Sequence, residues 1–350
     1  MGRNIFTSLI VLFLLVVMAA CGQGGTNAAA DNNPSPENGQ ANGQYNIRLA
    51  HNMPETSGVH QGALRFKEIV EEESEGRLVV EIFSSQQLGS MREQIEGVQL
   101  GSIEMSIQPV DTLSAFVEDL QIISFPYLWP SEEVMWTVLD GEVGQDLLST
   151  MEEYGFKGLG VWAQGFKAMT SIKKIETPED LKGLKMRVIP SELLIAQYEA
   201  WGANPTPIDF AELYNSLQQG VVDGQENPLE TIYVNKYYEV QDYLTLSEHG
   251  YLAYVFTINR NWFENLPADL QKIIVEAESE ARQLQRELTK NSNLEILDEL
   301  KDTGIEVIEI DEEQKDSFRQ KVLTVHQDFT RTERQQELLN RIYDAIQQAQ

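Results

Sequence analysis

The chain has 350 residues, with 26 Lys and Arg against 55 Asp and Glu, a formal charge of −29, 42% hydrophobic residues and one cysteine. That length holds about two domains, or one large one, with ample core, and the apolar fraction excludes a disordered acidic polymer. So negative a chain repels phosphate backbones, which argues against a nucleic-acid partner, and one cysteine makes neither an internal disulfide nor a cysteine-based zinc site.

Arg3 is the only charged side chain before position 21, and Leu9–Val17 is an unbroken apolar run followed by Met18-Ala19-Ala20-Cys21. A basic start, a short apolar stretch and small residues before a cut predict a secretory signal peptide over 1–20 rather than a membrane span. The cysteine at the cut resembles the acceptor of a bacterial lipoprotein signal. Its thiol would carry a lipid as the mature N-terminus, although Met18 stands where Leu, Val or Ile is usual. Residues 21–45, rich in Gly, Asn, Gln, Ala and Pro, read as a flexible tether that holds the folded part outside the cell membrane.

From Asn46 short strands alternate with amphipathic helices. Strands are predicted at Asn46–His51, Arg77–Phe83 and Ile103–Ile107, and helices at Ser57–Ser74 and Ser90–Leu100. This alternation predicts an α/β fold whose sheets are mainly parallel, with helices on both faces. A second set follows: strands at Phe156–Trp162, Ala168–Ser171, Leu184–Val188 and Val221–Gly224, and helices at Ser191–Trp201, Phe210–Gln219 and Pro228–Lys236. Leu244–Glu248 and Leu252–Ile258 are β-type runs suited to carry the chain between domains. A helical pattern from Pro267 to about Asp302 would be roughly 50 Å long, enough to span two lobes. The last stretch, Asp311–Gln350, reads as a broken helix. The division expected is 46–164 plus about 253–292 in lobe 1, and 165–252 plus about 293–350 in lobe 2, with a ligand cleft between them at the strand ends.

Dinucleotide, P-loop, nucleophile-elbow and HExxH patterns are all missing from the sequence. His51, His60, His249 and His326 are scattered, and Glu71-Glu72-Glu73 reads as a solvated face. No catalysis, cofactor or metal is expected.

The informative stretch is 180–228. Asp180-Leu-Lys-Gly-Leu-Lys-Met-Arg187-Val188 sets an arginine on a short strand, and Gly202-Ala-Asn-Pro205-Thr-Pro207-Ile-Asp-Phe210 follows. Then come Glu212-Leu-Tyr214 and Gly220-Val-Val-Asp223-Gly224-Gln225-Glu226-Asn227-Pro228. With Ser84-Ser-Gln-Gln-Leu88-Gly89, Phe125-Pro-Tyr127 and Leu266-Pro-Ala-Asp-Leu270-Gln, these residues resemble the solute-binding subunits of tripartite ATP-independent periplasmic (TRAP) transporters, the DctP-like family, over about 46–325. The resemblance implies a two-lobed binding protein with a hinge, a small organic acid such as a dicarboxylate as ligand, and an integral-membrane permease as partner. It further implies that Arg187 grips the ligand carboxylate, for which a guanidinium supplies a planar two-bond fork. Asn227 is implied to donate to the same group, Phe210 to lie beside the ligand or in the core, and Asn52 to reach it from the first lobe. Twenty positions before Arg187 the family carries a second arginine. Here Gly165-Phe166-Lys167 keeps the charge without the fork, so Lys167 either binds one ligand oxygen or pairs with an acid at the cleft edge. Trp162 and Tyr233 are further aromatic candidates. Pro109 stands where some relatives carry an acid, which argues against an amino-bearing ligand. The other classes compatible with two lobes are an ABC-importer binding lipoprotein, the capture module of a sensor, and a cleft enzyme acting on an organic acid.

Overall fold

The structure, a computed structural model, describes residues 43–350; the signal peptide, Cys21 and most of the tether lie outside them. Eleven strands form two sheets. The first has the order β2-β1-β3-β10-β4, from Leu78–Phe83 (β2), Tyr45–His51 (β1), Met105–Pro109 (β3), Tyr251–Asn259 (β10) and Phe156–Phe166 (β4). The second has the order β11-β9-β5-β8-β6-β7, from Glu306–Glu309 (β11), Tyr243–Leu246 (β9), Ala168–Ser171 (β5), Gly224–Asn227 (β8), Lys185–Val188 (β6) and Asn204–Pro207 (β7).

The sheets are mixed rather than mainly parallel. β1 pairs parallel with β2 and β3, but β10 runs antiparallel to both β3 and β4, and β5 runs antiparallel to β8 and β9. The reason is topological: β10 and β5 each enter their sheet by crossing from the other one, so they arrive against the direction of strands joined by helical crossovers. The chain crosses from β4 to β5 at Lys167 and returns from β9 to β10 through residues 247–250. The two crossings touch where the Lys167 N–H donates to the Gly250 carbonyl at 2.8 Å.

A third link is the 35-residue helix Ala268–Asp302. Its Leu270, Ile274 and Ala277 join the core over the first sheet, and its Ile296 and Leu300 join a second core with Leu213, Leu217, Val222 and Ile232. It packs on the helix Gly58–Glu73, whose Val59, Ala63, Phe66 and Val70 are buried, as their spacing predicts. Two strands were not read from the sequence, β7 and β11. Both lie at sheet edges, where β7 tolerates Pro205 and Pro207 because its outer N–H positions need no partner. The strand expected at Val221–Gly224 lies three residues later, over Gly224–Asn227, and so consists largely of polar residues. The helix expected at Phe210–Gln219 begins as a 3₁₀ turn, Phe210–Glu212, before Leu213–Gln218. The C-terminal helix Glu333–Ala349, expected with the second lobe, instead lies on the helices Glu132–Leu139 and Glu142–Ser149 between β3 and β4 of the first sheet, with Arg341 on Asp146 at 2.7 Å. Its Leu338, Leu339 and Ile342 need an apolar floor, and those helices provide it.

Gly62 makes the contact between the long helix and the helix Gly58–Glu73 possible, since a Cβ there would meet Trp162 Cζ3 at 2.6 Å and Gln285 Cβ at 2.8 Å. Gly62→Val is expected to lower stability by about 1–3 kcal/mol, read as a shift of the urea midpoint, because the ring and the neighbouring helix must move apart.

Candidate functional site: a buried arginine between the sheets

β6 carries Arg187 in register with Gln225 on β8 and Thr206 on β7. The side chain is completely shielded from solvent. Its Nε donates to the Ile208 carbonyl at 2.8 Å, while Nη1 and Nη2 have no partner. Burial pulls its pKa below the ordinary guanidinium value, against the opposing pull of Tyr237, Glu226, Asp209 and Tyr254. A guanidinium stays charged under such a shift, so a cation with two free donor groups sits in the interior. Such a group asks for an anion with two acceptor oxygens.

The other predicted residues fall around it unequally. Asn227 ends β8, is buried, and donates its amide to Gln225. Asn52 follows β1 and is buried, its amide beside the buried ring of Tyr254. Phe210 is half-buried against the larger core. Trp162 is a core residue: it is stacked on Phe256, and its indole N–H donates to Glu278 at 2.8 Å. Tyr233 packs beside Tyr238 at 5.7 Å between ring centres.

Lys167 pairs with acids, deep inside rather than at an edge. It is buried, and its Nζ donates to Glu226 Oε1 at 2.8 Å and to Asp111 Oδ2 at 3.1 Å. Burial is the largest single influence and disfavours the ammonium, yet Asp111 and Glu226 together outweigh it and raise its pKa above 10.5. Glu226 is shared further: its Oε2 accepts from Tyr198 Oη at 3.0 Å and meets His249 Nε2 at 2.6 Å, and His249 Nδ1 meets Ser247 Oγ at 2.7 Å. Burial pushes Glu226 up, but Lys167 and His249 overcome it and hold the carboxyl well below 4.5.

Sequence reasoning passed over Asp111, Glu226 and His249 in this network. Glu226 stood in the quoted motif without a role, and a lone acid on an apolar background was the available signal for Asp111. Glycine has one specific duty here: Gly165 takes φ +134° at the crossing, and a Cβ would meet Asn293 Nδ2 at 2.8 Å and Pro228 Cβ at 3.2 Å. A groove of about 620 Å³ runs between the segment after β3, including Phe116, and the segment after β6, including Pro190 and Ile195. Among the described residues no group of His, Cys, Asp and Glu has metal-site geometry, and no helix is long and apolar enough to cross a membrane.

The chain matches the bacterial extracellular solute-binding protein family 7, the DctP family, over residues 49–333. It belongs to that family. It is 34% identical over 282 residues to the C4-dicarboxylate-binding periplasmic protein DctP of Rhodobacter capsulatus, covering 80% of this chain and 85% of that one. Among solved structures it resembles a TRAP periplasmic solute-binding protein of Desulfovibrio salexigens with bound orotic acid, at TM-score 0.85 and 33% identity, covering 88% of this chain and all of that one. It also resembles the sugar acid binding protein DctPAm of Advenella mimigardefordensis in complex with galactonate, at TM-score 0.84 and 31% identity, covering 88% and 99%. The two-lobed fold expected from the DctP-like residues is thereby shown.

Within this DctP-family chain the buried titratable groups set a pH dependence. His51, whose Nε2 lies 3.1 Å from His60 Nδ1, is driven from 6.5 to about 3, first by burial and then by His60. The unfolded chain therefore binds the His51 proton first, so its contribution to stability falls as pH drops below 6.5. Glu226, lowered from 4.5, adds loss below that value, whereas Glu230, raised mainly by burial, works in the opposite direction. Urea midpoints followed from pH 7 to 4 are expected to fall, with His51→Asn flattening the part between 6.5 and 4.5.

Proposed function

We propose that this chain captures a small organic acid between two α/β lobes and delivers it to the integral-membrane subunits of a TRAP-type transporter, without covalent chemistry. One observation carries the reading: the interior holds an arginine, Arg187, whose Nη1 and Nη2 are both unpartnered. In a family of extracellular solute-binding proteins, the simplest occupant of that fork is a ligand carboxylate. The relatives named above support the class, since those with named ligands take C4-dicarboxylates, orotic acid or galactonate. In this reading Arg187 holds the carboxylate, and Asn227, two positions beyond the Gln225 that pairs with Arg187 in the sheet, turns its amide to the same group. Asn52 meets the far end of the ligand, Phe210 borders it, and Lys167 acts through the network that holds β8 in place. The lobes are 46–164 with about 253–292, and 165–252 with most of the remainder, hinged at the crossings on either side of Lys167. The chain is anchored outside the cell membrane by a lipid on Cys21.

Isothermal titration tests the arginine. A thermal-shift panel of organic acids first identifies a ligand, which at 100 times its dissociation constant stabilises the fold by about 2.7 kcal/mol. Arg187→Ala is then expected to weaken it about thirtyfold or more, since losing one side of a buried charged pair costs roughly 2–5 kcal/mol. Unchanged affinity would sink the reading. The anchor has its own test. The full-length protein expressed in a bacterial host with a lipoprotein pathway is expected in the membrane fraction, with a lipid mass on its N-terminal cysteine. Cys21→Ser should abolish both.

A further inference from the structure

Lys167 and Arg187 are the only Lys or Arg side chains among the described residues that are buried. Their situations are opposite. The Lys167 ammonium faces two carboxylates, Asp111 Oδ2 at 3.1 Å and Glu226 Oε1 at 2.8 Å, so that group of three carries a net negative charge. Arg187 faces none within bonding distance. Asp111 comes from the first lobe, just after β3, and Glu226 from β8 in the second sheet. The acid that appeared to be lost at Pro109 is thus regained two positions later, on the helix Val110–Leu113.

The unpartnered neutral and anionic atoms nearby are mostly acceptors. Asp111 Oδ1 and Gln164 Oε1 are buried without a donor. Gln164 is fixed in this orientation because its amide nitrogen is spent on Glu230 Oε2 at 3.1 Å and Thr231 Oγ1 at 3.0 Å. The same nitrogen lies 4.0 Å from the sulfur of Met53, beside Asn52.

We propose that Asp111 is a specificity residue which, by adding a second carboxylate to the Lys167–Glu226 pair, leaves Arg187 as the one uncompensated buried cation and restricts the site to ligands with a single carboxylate and neutral hydrogen-bond donors elsewhere. The inference rests on Arg187 being the carboxylate partner. A second carboxylate would bring acceptor oxygens and a negative charge to Asp111 Oδ1 and Gln164 Oε1, with no free cation to receive it. Hydroxyl or amide groups in the same place would donate to both. Glu230, which also lies in this region, deepens the discrimination whenever it is ionised.

Matched pairs differing by one charge provide the test: succinamate against succinate, and gluconate against glucarate, titrated calorimetrically at neutral pH. The wild-type protein is expected to bind the monoanion of a pair at least about tenfold tighter than the dianion. Asp111→Asn, which removes the excess negative charge and leaves the Lys167 ammonium to Glu226 alone, is expected to narrow that ratio about tenfold or invert it. The wild-type ratio needs no variant, so it decides the question even if Asp111→Asn does not fold. Equal or tighter binding of the dianion by the wild-type protein, with Arg187→Ala still abolishing binding, would overturn the role of Asp111 and leave the carboxylate reading intact. Binding of no carboxylate, or binding indifferent to Arg187→Ala, would overturn both.

Discussion

An ionised guanidinium held away from water without a counter-charge is the constraint on which the other features of this molecule depend. Removing such a group from water costs far more than a neutral polar group, and proteins ordinarily place an acid against it. Here the acid in range, Glu226, is committed to Lys167, His249 and Tyr198. The single backbone bond from Arg187 Nε to the Ile208 carbonyl fixes the direction of the fork and leaves its outer edge unsatisfied. In the proposed reading a ligand meets that demand, and rigid surroundings must support it until then.

Those surroundings are built where the chain crosses between sheets. Lys167 lies on one crossing and His249 on the other, and Glu226 of β8 binds both. One carboxylate therefore ties the two crossings to the strand next to Arg187. Asp111 adds the first lobe to the same group, so the charges that support the site also couple it to the relative position of the lobes. Movement of Asp111 away from Lys167 would leave the ammonium to Glu226 alone. The electrostatics of the network thus favour the arrangement in which both acids are present. The long helix, with its two ends in different cores, is the mechanical counterpart of that coupling.

Periodicity revealed the helices that bury one face, such as Gly58–Glu73 and Ala268–Asp302, because packing against a core dictates a 3.6-residue spacing. It failed at β8, since a strand written Gly-Gln-Glu-Asn has no apolar alternation to detect. Its polar residues are there to face Arg187, Lys167 and Thr170 rather than a core. The edge strands β7 and β11 were missed because an edge needs neither full hydrogen bonding nor burial on both faces. Arg187 and Asn227 were singled out through motif resemblance alone, as nothing in composition separates a buried arginine with a free fork from one paired on the surface. Lys167 shows where resemblance stops: its position was legible, whereas its partner Asp111 lies 56 residues away on another element, and only the fold brings them to 3.1 Å.

The charge of −29 acts on the same choice from a distance. With so negative a surface, the work of bringing a ligand near grows in proportion to the ligand's own charge, so a dianion meets twice the opposition that a monoanion does. Salt at physiological strength confines that field to about 8 Å from the surface, and the penalty falls mainly on the last approach into the cleft. There the outer field and the buried pairing of Lys167 with Asp111 and Glu226 act in the same sense. A single carboxylate can cancel the Arg187 charge. A second one has no free buried cation left to meet.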